Sequence, residues 1–152
     1  MNLNKHSGER GQVALVFIAS MVIVIAALAL LIDGGRWLTM RSRARMLADA
    51  SAYSGASVVD IQRAGEGDIV LSNSSVNSVS AKAVAIEAFT VNKASTPEYM
   101  DFDDPEILVN GNEIRVTVTG RSRALFGSQW GLNYSATVTS SARAGWGIST
   151  EN

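Results

Sequence analysis

The chain has 152 residues, 47% of them apolar and none of them cysteine, with a formal net charge of −1; that length holds about one domain plus a membrane span. Without cysteine there is no disulfide framework, thiolate metal site or cysteine nucleophile. Charge is divided along the chain: residues 33–45 carry Arg36, Arg41, Arg43 and Arg45 against Asp33 alone, while residues 46–152 carry seven Lys/Arg against twelve Asp/Glu, and a net-acidic part lacks the basic face that nucleic acid requires.

Residues 1–12 read as a polar, mobile leader holding Lys5 and Arg10. Residues 13–32 follow without a charge, VALVFIASMVIVIAALALLI. A helix of that length is about 30 Å long, which matches the hydrocarbon core of a bilayer. Ser20 is its only polar side chain, and a serine hydroxyl can bond back to its own helix backbone. A buried core helix is disfavoured, because the rest of the chain could not wrap a uniformly apolar cylinder of this length. A cleaved secretory signal is the closer rival. Ala27-Leu28-Ala29 matches a cleavage pattern, but Leu30-Leu31-Ile32 follows at once, and the run exceeds the usual apolar region of a signal. A retained membrane anchor is therefore expected.

Residues 33–64 read as a continuation of the same helix, from about Gln12 to about Arg63, with a bend at Gly34-Gly35. Trp37 and the four arginines suit a membrane border. Asp33 lies three residues before Arg36, a helix-surface ion-pair spacing; the functional alternative pairs it with the basic leader of a neighbouring subunit. Ala44, Ala48, Ala52 and Ala56 recur every fourth residue, flanked by Ser51 and Gly55. Small residues at this spacing let another helix or a sheet come close to the backbone.

Residues 65–144 read as a small α+β domain. Ala64 to Asp68 ends the helix, Ile69-Val70-Leu71 is a short apolar run, and Ser72 to Ser75 is a loop. A second helix is expected from about Val76 to Asn92, with Val79, Ala83, Ile86 and Phe89-Thr90 at helical spacing. Thr96 to Pro105 reads as a polar loop. Ile107 to Val109 leads into Asn110-Gly111, a pair suited to a tight hairpin turn. Glu113 to Thr119 alternates, with Ile114, Val116 and Val118 on one face. Ala124-Leu125-Phe126 and Trp130 form an apolar connector, expected as one helical turn docked on the sheet edge. Leu132 to Ala142 gives a third alternating strand, and residues 145–152 read as a tail. The fold class expected is α+β: a long transmembrane helix extending beyond the bilayer, packed with a second helix and a small antiparallel sheet.

No catalytic set is visible. The single histidine, His6, stands before the span, which removes histidine triads and histidine metal sites from the domain. No phosphate loop or dinucleotide fingerprint occurs. The acidic stretch Glu98, Asp101, Asp103, Asp104 and Glu106 lacks the glycine and distal glutamate of a calcium loop and reads as a solvated loop. The expectation is a non-enzyme with no cofactor and no metal.

The stretch ERGQVALVFIASMVIVIAALALLIDGGRWLTMRSRARMLADASAYSGA, Glu9 to Ala56, resembles the N-terminal module of the TadE/TadG-like Flp (tight adherence) pilus-assembly family. The matching parts are Arg10-Gly11-Gln12, the apolar span, the exit Asp33-Gly34-Gly35-Arg36 before Trp37, and the small-residue run from Ala48 to Ala56. The later segment IRVTVTGRSRALFGSQWGLNYSATVTSSARAG is similar to the family's strand, Phe-containing connector and strand. Ser51, Tyr53 and Ser54 interrupt what is a richer alanine run in the family, and no large von Willebrand-type domain is expected. The glutamate found five residues after the cleavage glycine of processed pilins is replaced here by Val13 or Val16. The resemblance implies a pilin-like or minor assembly component of a Flp/Tad-type pilus or related secretion system. Its partners would be membrane lipid, other pilus or secretion-system proteins and further copies of itself, in a bacterial inner membrane or a surface fibre. Counting positive charges favours a cytoplasmic C-terminus; the resemblance favours a domain outside the cytoplasm, and that is the expectation adopted. A membrane-anchored ligand-binding domain unrelated to pili is the alternative reading.

Overall fold

The computed structural model describes residues 7–58 and 80–144. Helix α1 is Ser7–Ala56, 50 residues and about 75 Å long. It begins inside the segment expected to be a mobile leader and runs through Gly34 and Gly35 without leaving the helical state. It ends at Ala56 rather than near Arg63. The expected helix stop at residues 64–68, the run at 69–71, the loop at 72–75 and the tail at 145–152 lie outside the described residues.

The two halves of α1 meet different surroundings. Every side chain from Val13 to Leu28 is exposed, and apart from Ser20 these are apolar on all sides, a pattern that suits a hydrocarbon solvent. Ser20 donates its hydroxyl to the Val16 carbonyl at 2.8 Å, so the one polar side chain of the span satisfies itself. From Asp33 onward one face is buried: Met40, Ala44, Leu47, Ala48, Ser51 and Ala52 are each at most 3% exposed. Gly55 is buried and Ala56 half-buried. Ser51 returns its hydroxyl to the Leu47 carbonyl at 2.7 Å, which lets a polar residue sit in an apolar seam.

Helix α2 is Ala81–Lys93. Its start is set by Ser80, whose extended backbone and hydroxyl cap the Ala83 N–H at 3.2 Å, a serine N-cap. The buried face is Ala81, Ala85 and Phe89; of the residues read from the sequence as one face, Phe89 is buried, Ala83, Ile86 and Thr90 are exposed, and Val79 lies outside the described residues. The alanine face allows α2 to approach the small residues of α1, a contact the bulkier Ile86 would hold apart.

Strands β1 (Met100–Phe102), β2 (Glu106–Asn110), β3 (Glu113–Arg123) and β4 (Asn133–Arg143) form one antiparallel sheet. β3 is central. It pairs with β4 along its whole length, from Glu113↔Arg143 to Arg123↔Asn133. Its other edge takes β2 and β1 end to end. Residues 103–105 face only two residues of β3, so the register slips by one there. Pro105, which has no N–H to donate, falls in this bulge, while the Asp103 N–H reaches Thr119 O at 3.0 Å. The polar loop expected at 96–105 thus contains a strand. Its buried Met100 and Phe102 are too brief an alternation to stand out among acidic neighbours. The hairpin turn is Gly111-Asn112, one residue later than expected, with Asn110 paired to Glu113 and Gly111 at φ +59°.

The inner sheet face carries Phe102, Ile107, Ile114, Val116 and Val118 against α1 and α2. The outer face is polar. Thr117 pairs with Thr139 at 3.0 Å and Thr119 with Thr137 at 3.1 Å, hydroxyl to hydroxyl across the strands. The fold is α+β, as expected.

The tightest approach is at Gly55. A Cβ there would collide with Ile114 Cδ1 and lie 3.0 Å from Ala81 O and 3.1 Å from Ala85 Cβ. At Gly34 a Cβ would meet nothing within 4 Å. Gly55→Leu is expected to destabilise the domain by about 1–3 kcal/mol through overpacking. Gly34→Ala is expected to be neutral or to stabilise by up to about 1 kcal/mol through helix propensity. Denaturant unfolding in detergent micelles, followed by near-ultraviolet circular dichroism, checks both; equal midpoints for Gly55→Leu and the parent would refute this packing.

Candidate functional site: the membrane border of the long helix

Asp33 is the first residue after the apolar run, and it is only 4% exposed. Its carboxylate is covered by the connector between β3 and β4. The Leu125 N–H donates to Oδ1 at 2.7 Å, the Gly127 N–H to Oδ2 at 3.0 Å, and the Phe126 N–H is shared between both oxygens at 3.4 and 3.3 Å. Three successive amides around one anion form a nest of the kind that binds phosphates and carboxylates. They also open a short 3₁₀ helix, Gly127–Trp130, which has no cap from its own preceding side chain. Asp33 supplies that cap from another element, so the charge at the end of the span and the open N-terminus of the turn satisfy each other.

Local sequence prepares the connector for this. A Cβ on Gly127 would lie 3.0 Å from two Leu132 carbons and 3.1 Å from Ala124 Cβ, so only glycine lets the turn close this tightly. Gly131 ends the turn at φ +72°, a backbone state that favours glycine. The Leu132 N–H then bonds Gly127 O at 3.0 Å.

Burial pushes the Asp33 carboxyl up in pKa. The amides of Leu125, Gly127 and Phe126, with the nearby Arg36 guanidinium, outweigh that effect and hold it below the ordinary aspartate value. Arg36 itself lies over the Tyr99 ring, 4.2 Å from its centroid, a cation–π contact. Arg41 lies 5.7 Å from the Trp37 ring, and half-buried Trp37 packs against the core. The exit residues therefore hold the domain onto the helix: Asp33 takes the connector and Arg36 takes the segment before β1.

The connector was expected on the sheet edge. It is docked on α1 instead, because the unpaired carboxylate draws three free amides more strongly than an apolar edge can draw one helical turn. Sequence reading did not find the Leu125, Phe126 and Gly127 amides as partners of Asp33. The available signal was an aspartate bordering a membrane span together with a Phe-Gly-Ser turn, but nothing in one sequence links residues more than ninety positions apart. Gly34 and Gly35 meet no close neighbour. The stripe residues Ala44, Ala48, Ser51, Ala52 and Gly55 are brought together, but beneath the chain's own sheet and α2. Among the described residues no group of three or more acidic or histidine side chains could hold a metal; Asp103 of the acidic stretch is paired with Arg121 at 2.8 Å.

A helix of this length, apolar and exposed in its first half and carrying a small domain on its second, is long and apolar enough to cross a membrane and is compatible with a membrane-anchored protein. Residues 11–58 match the model of the putative Flp pilus-assembly TadE/G-like family. The match covers α1 from its second turn to just past its end, with Asp33 and the small-residue stripe inside it. No curated protein and no solved structure matches the chain.

Asp33 should stabilise the connector in a pH-dependent way. A carboxyl whose folded pKa is depressed contributes fully above its ordinary value of 3.8 and loses that contribution as pH falls through and below it. Asp33→Asn does not titrate and replaces one acceptor with a donor facing the amides. The stability difference between the parent and Asp33→Asn is expected to be largest near neutral pH and to shrink as the medium is acidified. Unfolding midpoints of the two chains measured across pH check this; a difference independent of pH would show that the carboxylate charge has no role.

Proposed function

We propose that this chain is a non-catalytic, single-pass component of a Flp/Tad-type pilus or related secretion system, pilin-like or a minor assembly subunit, acting through protein packing. The observation that carries the reading is the coincidence of the family module, residues 11–58, with a helix that is exposed and apolar below Asp33 and buried under a small domain above it. The proposal places the anchor in a bacterial inner membrane, the leader inside the cell and the domain outside the cytoplasm.

The geometry supports a division of labour along α1. The small-residue stripe beyond the border is used within the chain to seat α2 and the sheet. It is therefore not the surface offered to other subunits. What α1 still presents to neighbours is its apolar half, and the domain adds the hydroxyl-lined outer sheet face. Other pilus proteins, further copies of the chain and membrane lipid are the proposed partners.

Two measurements test this. An alkaline phosphatase fused after Asn152 is expected to be active, since that enzyme needs the environment outside the cytoplasm; activity confined to a cytoplasmic reporter would reverse the orientation. Antibody detection is expected to find the chain in sheared surface fibres or in membrane complexes purified with the pilus ATPase and platform protein. Its absence from both would remove the pilus reading and leave the anchored ligand-binding domain.

A further inference from the structure

The connector that covers Asp33 also reaches down the span. Between them, the connector and α1 enclose a groove of about 560 Å³. On the helix side it is lined by Val22, Ile25, Ala26, Ala29 and Leu30, spaced as one helical face that ends at Asp33. On the other side stand Leu125, Phe126 and Leu132, which are 52%, 44% and 49% exposed.

We propose that the β3–β4 connector is a second membrane-contacting element, and that lipid acyl chains fill the groove between it and α1. The argument is one of depth, and it rests on the anchor reading of α1. Val22 lies about 16 Å along the helix from Asp33, roughly half of a hydrocarbon core about 30 Å thick. If the groove stood in water, the apolar run left to cross the membrane would be only residues 13–21, about 14 Å of helix, too short to span. Keeping the span in the bilayer therefore carries the groove into the leaflet on the domain side.

The connector is also built for a dry environment. Hydrocarbon offers no partner to a free amide, and the amides of Leu125, Phe126 and Gly127 are taken by Asp33. Those of Gly131 and Leu132 are taken by the carbonyls of Ser128 and Gly127. Its exposed side chains at 125, 126 and 132 are large and apolar, with Ser128 and Gln129 the exposed polar ones between them, the mixed pattern of a segment lying at a lipid border.

The absence of native cysteine makes site-directed spin labelling direct. Leu125→Cys, Phe126→Cys and Leu132→Cys, each in the full chain in phosphatidylethanolamine/phosphatidylglycerol nanodiscs, are compared with Phe17→Cys as a hydrocarbon reference and Ser135→Cys as a water reference. The connector labels are expected to show an oxygen-to-nickel-chelate accessibility ratio several-fold above that at Ser135 and near that at Phe17. Ratios at the connector matching Ser135 while Phe17 reads as hydrocarbon would overturn the proposal and leave the anchor intact. A water-like ratio at Phe17 would overturn both. Connector labels shielded from both reagents would assign the groove to a second copy's helix and overturn the lipid occupant. The three exposed positions are independent, and circular dichroism matching the parent identifies the variants that are folded.

Discussion

The structure depends on where one carboxylate finds its hydrogen-bond partners. Asp33 stands immediately after twenty uncharged residues, and a buried charge without partners would be costly. It is buried and held by three backbone amides from the far end of the sheet. That contact fixes the height of the domain on the helix. It brings the β3–β4 turn down to the membrane border and leaves β3 and β4 crossing the face of α1 above it. Arg36 on Tyr99 adds a second fastening one turn further along, on the side of β1.

Above the border, the packing problem is one of distance. A sheet and a second helix must both settle on one long helix, and the residues that permit it are small. Ala44, Ala48, Ala52 and Gly55 remove side-chain volume from α1, and the β-branched and aromatic residues of the sheet, with Phe89 of α2, pack into the space. The core is thus uneven along α1, with Met40 and Leu47 filling it nearer the border and small residues from Ala48 to Gly55 making room for the sheet and α2. A stripe that would elsewhere suit an intermolecular seam is consumed inside the subunit.

These two features together describe a helix working in two solvents. From Val13 to Leu28 its side chains are exposed and, Ser20 apart, apolar; above Asp33 they are sorted into a buried face and an exposed one. The stretch that matches the family model, residues 11–58, covers both parts.

The sequence by itself determined the elements whose signal is local and periodic. The uncharged run of residues 13–32, the alternation of Ile114, Val116 and Val118, and the small-residue spacing from Ala44 to Ala56 follow from helix and strand geometry, and each lies where that geometry puts it. Boundaries were less legible: the expected start near Val76 lies outside the described residues, and Ser80 caps the first turn of α2, because capping and not apolar spacing decides where a helix begins. β1 was hidden because a three-residue strand has too little alternation to show among acidic neighbours. Tertiary structure alone decided what Asp33 does. Its spacing to Arg36 pointed to a pair on the helix surface, yet the amides of Leu125, Phe126 and Gly127 bind it. The preference is set by which free donors the folded sheet delivers to that point, and no periodicity along the chain encodes a meeting of residues so far apart.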